Sequence, residues 1–254
     1  MKLKLVPLYE THKKEILSYL ENFKQHGTLL GNGARNTIKL FDLGGKMINI
    51  KSFKIPNKFN QVVYKFFRKS KAERSFKYAQ ILTAKNIGTP APIGYAENNS
   101  TALFSESFYI SEHLQYDLTY RELVKDPEFP DHDLLLRAFT RFTFNLHENQ
   151  IEFLDHSPGN TLIQLNDGDY LFYLVDLNRM NFKQMNFDDR MKNFSRLTPK
   201  KEMVEVMADE YSKFIKEDSR EVFEKMWSFA NSFFTNRRKN RNMKHKLKNF
   251  LRIN

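Results

Sequence analysis

Residues 146–182 read LHENQIEFLDHSPGNTLIQLNDGDYLFYLVDLNRMNF, and this stretch decides the fold that we expect for the chain. Asp155 and Asn160 stand on either side of a Ser-Pro-Gly turn, and an apolar hairpin then runs on to Asp176. Two apolar strands between polar loops would hold these three side chains at one mouth. Carboxylate and amide oxygens are the hard ligands that Mg²⁺ prefers. An aspartate at such a site can also accept the proton of an attacking hydroxyl group.

The order Asp-x-x-x-x-Asn, apolar strand and Asp is that of the kinase catalytic loop and its metal-binding aspartate. A hairpin whose loops are closed by Asx turns is the plainer interpretation. The first interpretation is favoured by His147 at the end of the preceding helix, by SPGN at 157–160 and by VDLNRM at 175–180. With these residues the chain resembles the lipopolysaccharide kinase family of the Kdo/WaaP type, and the resemblance extends roughly over residues 31–182.

This resemblance implies an α+β, protein-kinase-like two-lobed fold with a small β-rich N-lobe and a helical C-lobe. It also implies ATP and Mg²⁺ as cofactors and an inner-core lipopolysaccharide sugar, Kdo or heptose, as the acceptor. Asp155 would be the catalytic residue that orients and deprotonates the acceptor hydroxyl, and Asn160 and Asp176 would hold the metal. The residues before Asp155 are Phe-Leu, so the loop lacks the arginine with which regulated protein kinases hold a phosphorylated segment. We therefore expect neither a phosphorylation switch nor an ordinary protein kinase.

Residues that bind ATP are expected in the first half of the chain. The apolar strand pattern MINIKSFK at 47–54 carries lysines, and Lys51 is expected to bind the α- and β-phosphates. Lys54, on the opposite face of the strand, is the alternative. The helix predicted over 71–85 carries one acid, Glu73, which is the candidate partner of that lysine. A solvated glutamate at this position is the other interpretation.

Two further positions complete the expected nucleotide site. Gly31 and Gly33 would let backbone N–H groups approach phosphate closely, with Arg35 beside them, although a plain hairpin turn explains the glycines equally well. Glu112 lies where the implied fold would offer backbone hydrogen bonds to adenine.

We expect a single kinase-like domain over 1–254, with an N-lobe at 25–114, a C-lobe at 115–236 and a basic tail at 237–254. The tail contains eight Lys or Arg residues and no acid, and its apolar residues recur at helical spacing. Such a segment is typical of a helix that lies on an anionic membrane surface, although a solvated tail is equally compatible. Nucleic acid is not expected as a partner, because no nucleic-acid-binding motif accompanies the charge.

Composition sets the remaining bounds. The chain has 254 residues, a formal net charge of +11 and no cysteine, which excludes disulfides and Cys-ligated zinc. The surplus of positive charge favours an anionic partner such as a phosphorylated glycolipid. Neither a secretory leader nor a run of about 18 apolar residues is present in the sequence, so we expect a cytoplasmic protein, peripheral at the inner face of the inner membrane.

Two other functions are compatible with the sequence. A small-molecule phosphotransferase of the aminoglycoside type would share the fold, but its cationic acceptors would be expected to favour an acidic cleft. A non-catalytic, pseudokinase-like adaptor at a membrane would not need Asp155, Asn160 and Asp176, and all three are present.

Overall fold

The structure is a computed structural model that describes residues 1–31, 36–54, 69–98, 106–166 and 168–253, with side chains described as far as His245. The chain forms two compact units. The first comprises Met1–Gln115 and Tyr173–Arg179, and the second comprises Tyr116–Phe172 and Met180–Asn254.

The first unit is built on a six-stranded antiparallel sheet with the order β1-β5-β6-β4-β3-β2. Its strands are β1 (Lys2–Leu5), β2 (Thr28–Leu30), β3 (Asn36–Leu43), β4 (Lys46–Phe53), β5 (Pro92–Glu97) and β6 (Ser107–Glu112). Strand β4 lies inside the sheet, where Lys51 is paired with Ile38 of β3 and Tyr109 of β6. Because side chains alternate along a strand, Ile48 and Ile50 are buried on one face, while Lys51 belongs to the other.

Helices cover this sheet. A 3₁₀ helix (Pro7–His12) leads into α1 (Lys13–Glu21), and α2 spans Lys71–Ala84. Ser70 caps α2 by accepting a hydrogen bond from the backbone N–H of Glu73. The first unit is larger than the expected N-lobe at 25–114, because the N-terminal residues share its core. That core includes Leu5, Tyr9, Ile16 and Leu20 together with Ile48, Ile50 and Ile110.

The second unit is mainly helical. Its helices are α3 (Tyr120–Lys125), α4 (His132–Glu148), α5 (Phe187–Asn193), α6 (Lys201–Ser212) and α7 (Ser219–Ile253). Its short strands are β7 (Leu118–Thr119), β8 (Ile151–Phe153), β9 (Thr161–Asn166), β10 (Asp169–Leu174) and β11 (Met180–Phe182), where β10 continues into the first unit. Strands β10, β9 and β7 form one sheet, and β11 pairs with β8 in another.

The core of the second unit is formed by the apolar faces of its helices. Its buried members include Leu135, Leu136, Phe139, Met207, Tyr211, Val222 and Met226. Helix α7 is continuous over 35 residues: its first half contributes Val222, Met226 and Ala230 to the interior, whereas residues 237–245 are all exposed. The segment expected as a separate tail is therefore, up to Ile253, the continuation of a core helix. Among the described residues, no helix has both the length and the apolar character needed to cross a lipid bilayer.

Candidate active site

Lys51 and Asp176 meet in the first unit. The Lys51 Nζ atom donates to Asp176 Oδ1 at 2.7 Å, and the two side chains are 13% and 30% exposed. Lys51 Nζ also lies 5.3 Å from the ring centroid of Phe53. Lys54 follows at the exposed end of the strand, where its backbone N–H donates to Asn36. Of the two lysines considered from the sequence, Lys51 is thus the one that contacts the candidate metal-binding aspartate.

Asp176 itself is held in an unusual backbone conformation. Its φ angle is +59°, in the left-handed region that aspartate tolerates better than most residues. The strand before it is fixed to the first unit, because Leu174 N donates to Gly88 O and Thr89 Oγ1 donates to Leu174 O. Asn178 Nδ2 donates to Asp176 Oδ1 at 2.7 Å. Oδ1 therefore receives two donors, and the described contacts leave Oδ2 open to another ligand.

Asn178 is a candidate site residue that sequence reasoning missed. It lies two positions after Asp176 and is 8% exposed. Its amide orients the carboxylate, as side chains around a metal ligand commonly do. The signal that could have revealed it is the pair of polar residues in Asp-Leu-Asn directly after a buried strand.

Asp155 and Asn160 meet in the second unit. The loop between them follows β8, and its ends are joined by the Asn160 side chain, whose Nδ2 donates to the backbone carbonyl of Asp155 at 2.8 Å. The Asn160 N–H also donates to Ser157 O at 2.9 Å. These bonds fix the orientation of the amide, and they leave its side-chain oxygen as the atom that can bind a metal. The Asp155 carboxylate is 28% exposed and can receive a proton.

Arg196 occupies one oxygen of Asp155. Its Nη1 donates to Asp155 Oδ1 at 3.0 Å, and its guanidinium lies 5.3 Å from the ring centroid of Phe233 on α7. Sequence reasoning did not identify Arg196, because it is 41 residues from Asp155 and belongs to no motif. Only the packing of the second unit brings the two together.

His147 is linked by hydrogen bonds to the start of the loop at 155–160. It is buried, with Nδ1 at 2.8 Å from Tyr211 Oη and Nε2 at 3.2 Å from Asn193 Oδ1. Asn193 Nδ2 in turn donates to Phe153 O, at the end of β8. Burial lowers the pKa of His147 to about 3, so the imidazole is neutral near pH 7. His147 is thus placed to stabilise the base of the loop.

Glu73 and Glu112 have local partners in the first unit. Glu73 pairs with Lys77, one helical turn along α2, at 2.6 Å, and no ion pair joins it to Lys51 among the described residues. The Glu112 carboxylate accepts hydrogen bonds from Tyr9 Oη at 2.6 Å and from Lys46. The backbone N–H of Glu112 donates to Ala91 O, so this N–H group is not available to a ligand. Adenine would therefore need other backbone groups of this linker.

The predicted glycine turn is only partly described. Gly31 has a φ angle of +77°, and a Cβ atom placed on it would meet nothing within 4 Å. Among the described residues, there is therefore space for a side chain at this position. Gly33 and Arg35 lie outside the described residues.

Known proteins resemble this chain in sequence and in fold. The sequence profile of the lipopolysaccharide kinase (Kdo/WaaP) family matches residues 54–221, which is more than half of the chain. Among solved structures, that of WaaP in complex with acyl carrier protein is similar, with a TM-score of 0.64 and 14% sequence identity. The match covers 94% of this chain and 99% of that one. None of the curated proteins matches the sequence. The likeness of structure confirms the expected protein-kinase-like fold, with a β-rich part and a helical part.

Proposed function

This chain belongs to the lipopolysaccharide kinase (Kdo/WaaP) family, and from that premise we propose that it uses ATP and Mg²⁺ to phosphorylate an inner-core sugar, Kdo or heptose. Kinases of this family transfer phosphate to a sugar hydroxyl of the lipopolysaccharide core. The observation that carries the proposal is the 2.7 Å contact between Lys51 and Asp176, which joins a cation suited to phosphate with a carboxylate suited to a metal.

On the nucleotide side, Lys51 would bind the α- and β-phosphates. Asp176, through its open oxygen, and Asn160, through its amide oxygen, would hold Mg²⁺ together with phosphate oxygens, since this ion commonly takes one or two protein ligands beside its substrate. When bound, the ion would supply positive charge against the charge of the transferred phosphoryl group. Asn178 would keep the Asp176 carboxylate in a fixed orientation.

On the acceptor side, Asp155 would accept a hydrogen bond from the sugar hydroxyl. The hydroxyl oxygen forms a bond to the γ-phosphorus as the bond from that phosphorus to the bridging oxygen of ADP breaks. The hydroxyl proton passes to the Asp155 carboxylate. Catalysis of this kind depends on positioning and on electrostatic stabilisation, because the protein supplies little covalent chemistry.

The first test is a transfer assay with purified Kdo–lipid A, ATP and Mg²⁺, in which the product is examined by mass spectrometry. We expect the glycolipid to gain one phosphate in the presence of the protein. Parallel reactions with an aminoglycoside and without acceptor cover the small-molecule phosphotransferase. ATP binding with no phosphate on the glycolipid would contradict the proposed acceptor, and failure to bind ATP would favour the non-catalytic adaptor.

The exposed basic segment of α7 is a candidate docking element for this kinase. Residues 237–245 carry Arg237, Arg238, Lys239, Arg241 and Lys244, all exposed, and we propose that they lie on an anionic membrane where the glycolipid resides. Sedimentation with vesicles containing phosphatidylglycerol tests this. Binding should fall when the five residues are changed to Gln and when salt is raised. The WaaP structure was solved with acyl carrier protein, so binding to that protein instead of vesicles is the alternative outcome.

A further inference from the structure

Two guanidinium groups contact opposite ends of the catalytic loop in the second unit. Arg196 Nη1 lies 3.0 Å from Asp155 Oδ1 at the start of the loop. At the other end, a Cβ atom built on Gly159 would lie 2.3 Å from Nη2 of Arg121. The Arg121 guanidinium therefore occupies the space that a side chain at position 159 would need. A Cβ at position 159 would therefore displace the end of the Arg121 side chain from its place against the loop.

Arg121 lies in the capped first turn of α3, and its guanidinium forms no ion pair among the described residues. It follows Tyr120 in α3, whose start is fixed by a capping box between Thr119 and Glu122. Arg121 is exposed, and within the described part of the chain no carboxylate lies within ion-pair distance of its side chain. A guanidinium with five donors and no anionic partner can bind an anion without first breaking an ion pair.

Arg196 forms an ion pair with Asp155, but its position also suits the binding of an anionic group of the acceptor. Its side chain is 37% exposed, and the ring of Phe233 supports the guanidinium from α7. The contact with Asp155 uses Nη1, and the planar group has further donors for a carboxylate or phosphate next to the reacting hydroxyl. An acceptor that brings its own anion would thus meet Arg196 at the same place as the base.

We propose that Arg121 and Arg196 bind anionic groups of the acceptor and thereby select acidic sugars, such as one that carries a carboxylate or a phosphate beside the hydroxyl. The inference rests on the proposed function, whose acceptor it narrows. The same charges disfavour a cationic acceptor, since like charges brought together near a site repel one another. Asp155 is then left to the hydroxyl, while the two arginines fix the sugar around it.

The test compares an acidic acceptor with a neutral one. The acceptors are a lipid-free Kdo disaccharide and its carboxyl methyl ester, and the variants are Arg121→Ala, Arg196→Ala, Arg196→Lys and Gly159→Ala. For the acid, we expect kcat/KM to fall about 10–100-fold in each Ala variant, mainly through KM, with the ester little affected. Arg196→Lys should retain part of the activity because it keeps the charge. The matched control is Arg220→Ala, whose side chain is 86% exposed and lies at the start of α7.

The outcomes separate this inference from the proposed function. An equal loss on acid and ester would overturn it, because it would show that the arginines only position Asp155. Binding of the disaccharide, measured by calorimetry, provides the second readout. If the wild type transfers no phosphate but binds the disaccharide more than 10-fold tighter than Arg121→Ala and Arg196→Ala, the proposed function fails and the anion site stands. If all variants bind it equally, the anion site is refuted.

Discussion

At the scale of single residues, the ion pair between Lys51 and Asp176 gives the sharpest prediction. Changing Lys51 to Met keeps the length of the side chain and removes the charge that would bind ATP phosphates. We expect kcat/KM for ATP to fall by about 100-fold or more, because charge placed at the phosphates is worth most in a partly buried site. Initial rates of ADP formation measure this.

Lys54→Met is the matched control for that change. Lys54 is exposed and lies just beyond the end of β4, three residues after Lys51, so its loss should leave the rate within about 2-fold. Equal rates for the wild type and Lys51→Met would contradict the assignment of the phosphate site. Circular dichroism of both variants shows whether the fold persists.

The same scale shows what the sequence can and cannot predict. Alternation predicted that Lys51 and Lys54 would lie on opposite faces of one strand, whereas β4 ends at Phe53, before Lys54. Glu73 was predicted to pair with Lys51. In the structure it pairs at 2.6 Å with Lys77, which lies one turn away on the same helix. Arg121 and Arg196 could not be predicted, because their contacts with the loop at 155–160 depend on the packing of distant segments.

At the scale of elements, helices α4 and α6 are joined by a charge network around Glu210. This carboxylate is buried, at 6% side-chain exposure, and pairs with Arg137, Arg141 and Lys213. Changing Glu210 to Gln should lower the free energy of unfolding by about 2 kcal/mol, because the arginines then lose their common partner. Urea titration monitored through Trp227, which packs on the same core, measures the change.

A nearby exposed acid serves as the control for Glu210. Asp133 pairs with Arg137 on α4, but its side chain is 57% exposed, so Asp133→Asn should change stability by no more than about 0.5 kcal/mol. Similar losses from both variants would show that burial does not govern this network. Because α4 leads through β8 to the loop at 155–160, the network also bears on the position of Asp155.

Helix α7 illustrates how far element boundaries follow from sequence. The basic composition of 237–254 suggested a separate tail, yet the helix runs unbroken from Ser219 to Ile253. The reason is visible in the sequence, since no proline or glycine interrupts this range. A change in composition alone therefore does not end a helix.

At the scale of the whole molecule, stability should depend on pH through two buried histidines. Burial lowers the pKa of His147 to about 3 and that of His156 to about 4, whereas both would titrate near 6.5 when unfolded. The unfolded chain then binds more protons below pH 6.5, so stability is fully present above that pH and falls as the pH approaches 4. His147→Gln should reduce the slope between pH 6 and pH 4 by about 1.4 kcal/mol per pH unit.

Unfolding in urea across this pH range, followed through Trp227, provides the measurement. His245→Gln is the control, because His245 is exposed on α7 and its removal should leave the slope unchanged. Parallel curves for the wild type and His147→Gln would contradict the linkage. The comparison uses slopes, so it is unaffected by any loss of stability that His147→Gln causes at neutral pH.

For the molecule as a whole, the sequence predicted the type of fold better than it predicted the bounds of the two compact units. The loop at 155–160 and the apolar strand before Asp176 were enough to indicate a protein-kinase-like fold, which the comparison with WaaP confirms. The first unit nevertheless begins at Met1 and takes in Tyr173–Arg179. Segments so far apart share one unit because they share backbone hydrogen bonds and a core, which no local pattern encodes.

The contact between Arg196 and Asp155 bears on how much ATP the protein would hydrolyse without transferring phosphate to an acceptor. A free carboxylate at the acceptor site would also activate water in place of a sugar hydroxyl. While Arg196 donates a hydrogen bond to Asp155 Oδ1, that oxygen is less accessible to water, and an anionic acceptor would compete for the guanidinium. An enzyme of this kind would have little uncoupled hydrolysis in the absence of its acceptor. Arg196→Ala should then raise the ratio of hydrolysed ATP to transferred phosphate, so this one ion pair would keep the consumption of nucleotide tied to the presence of substrate.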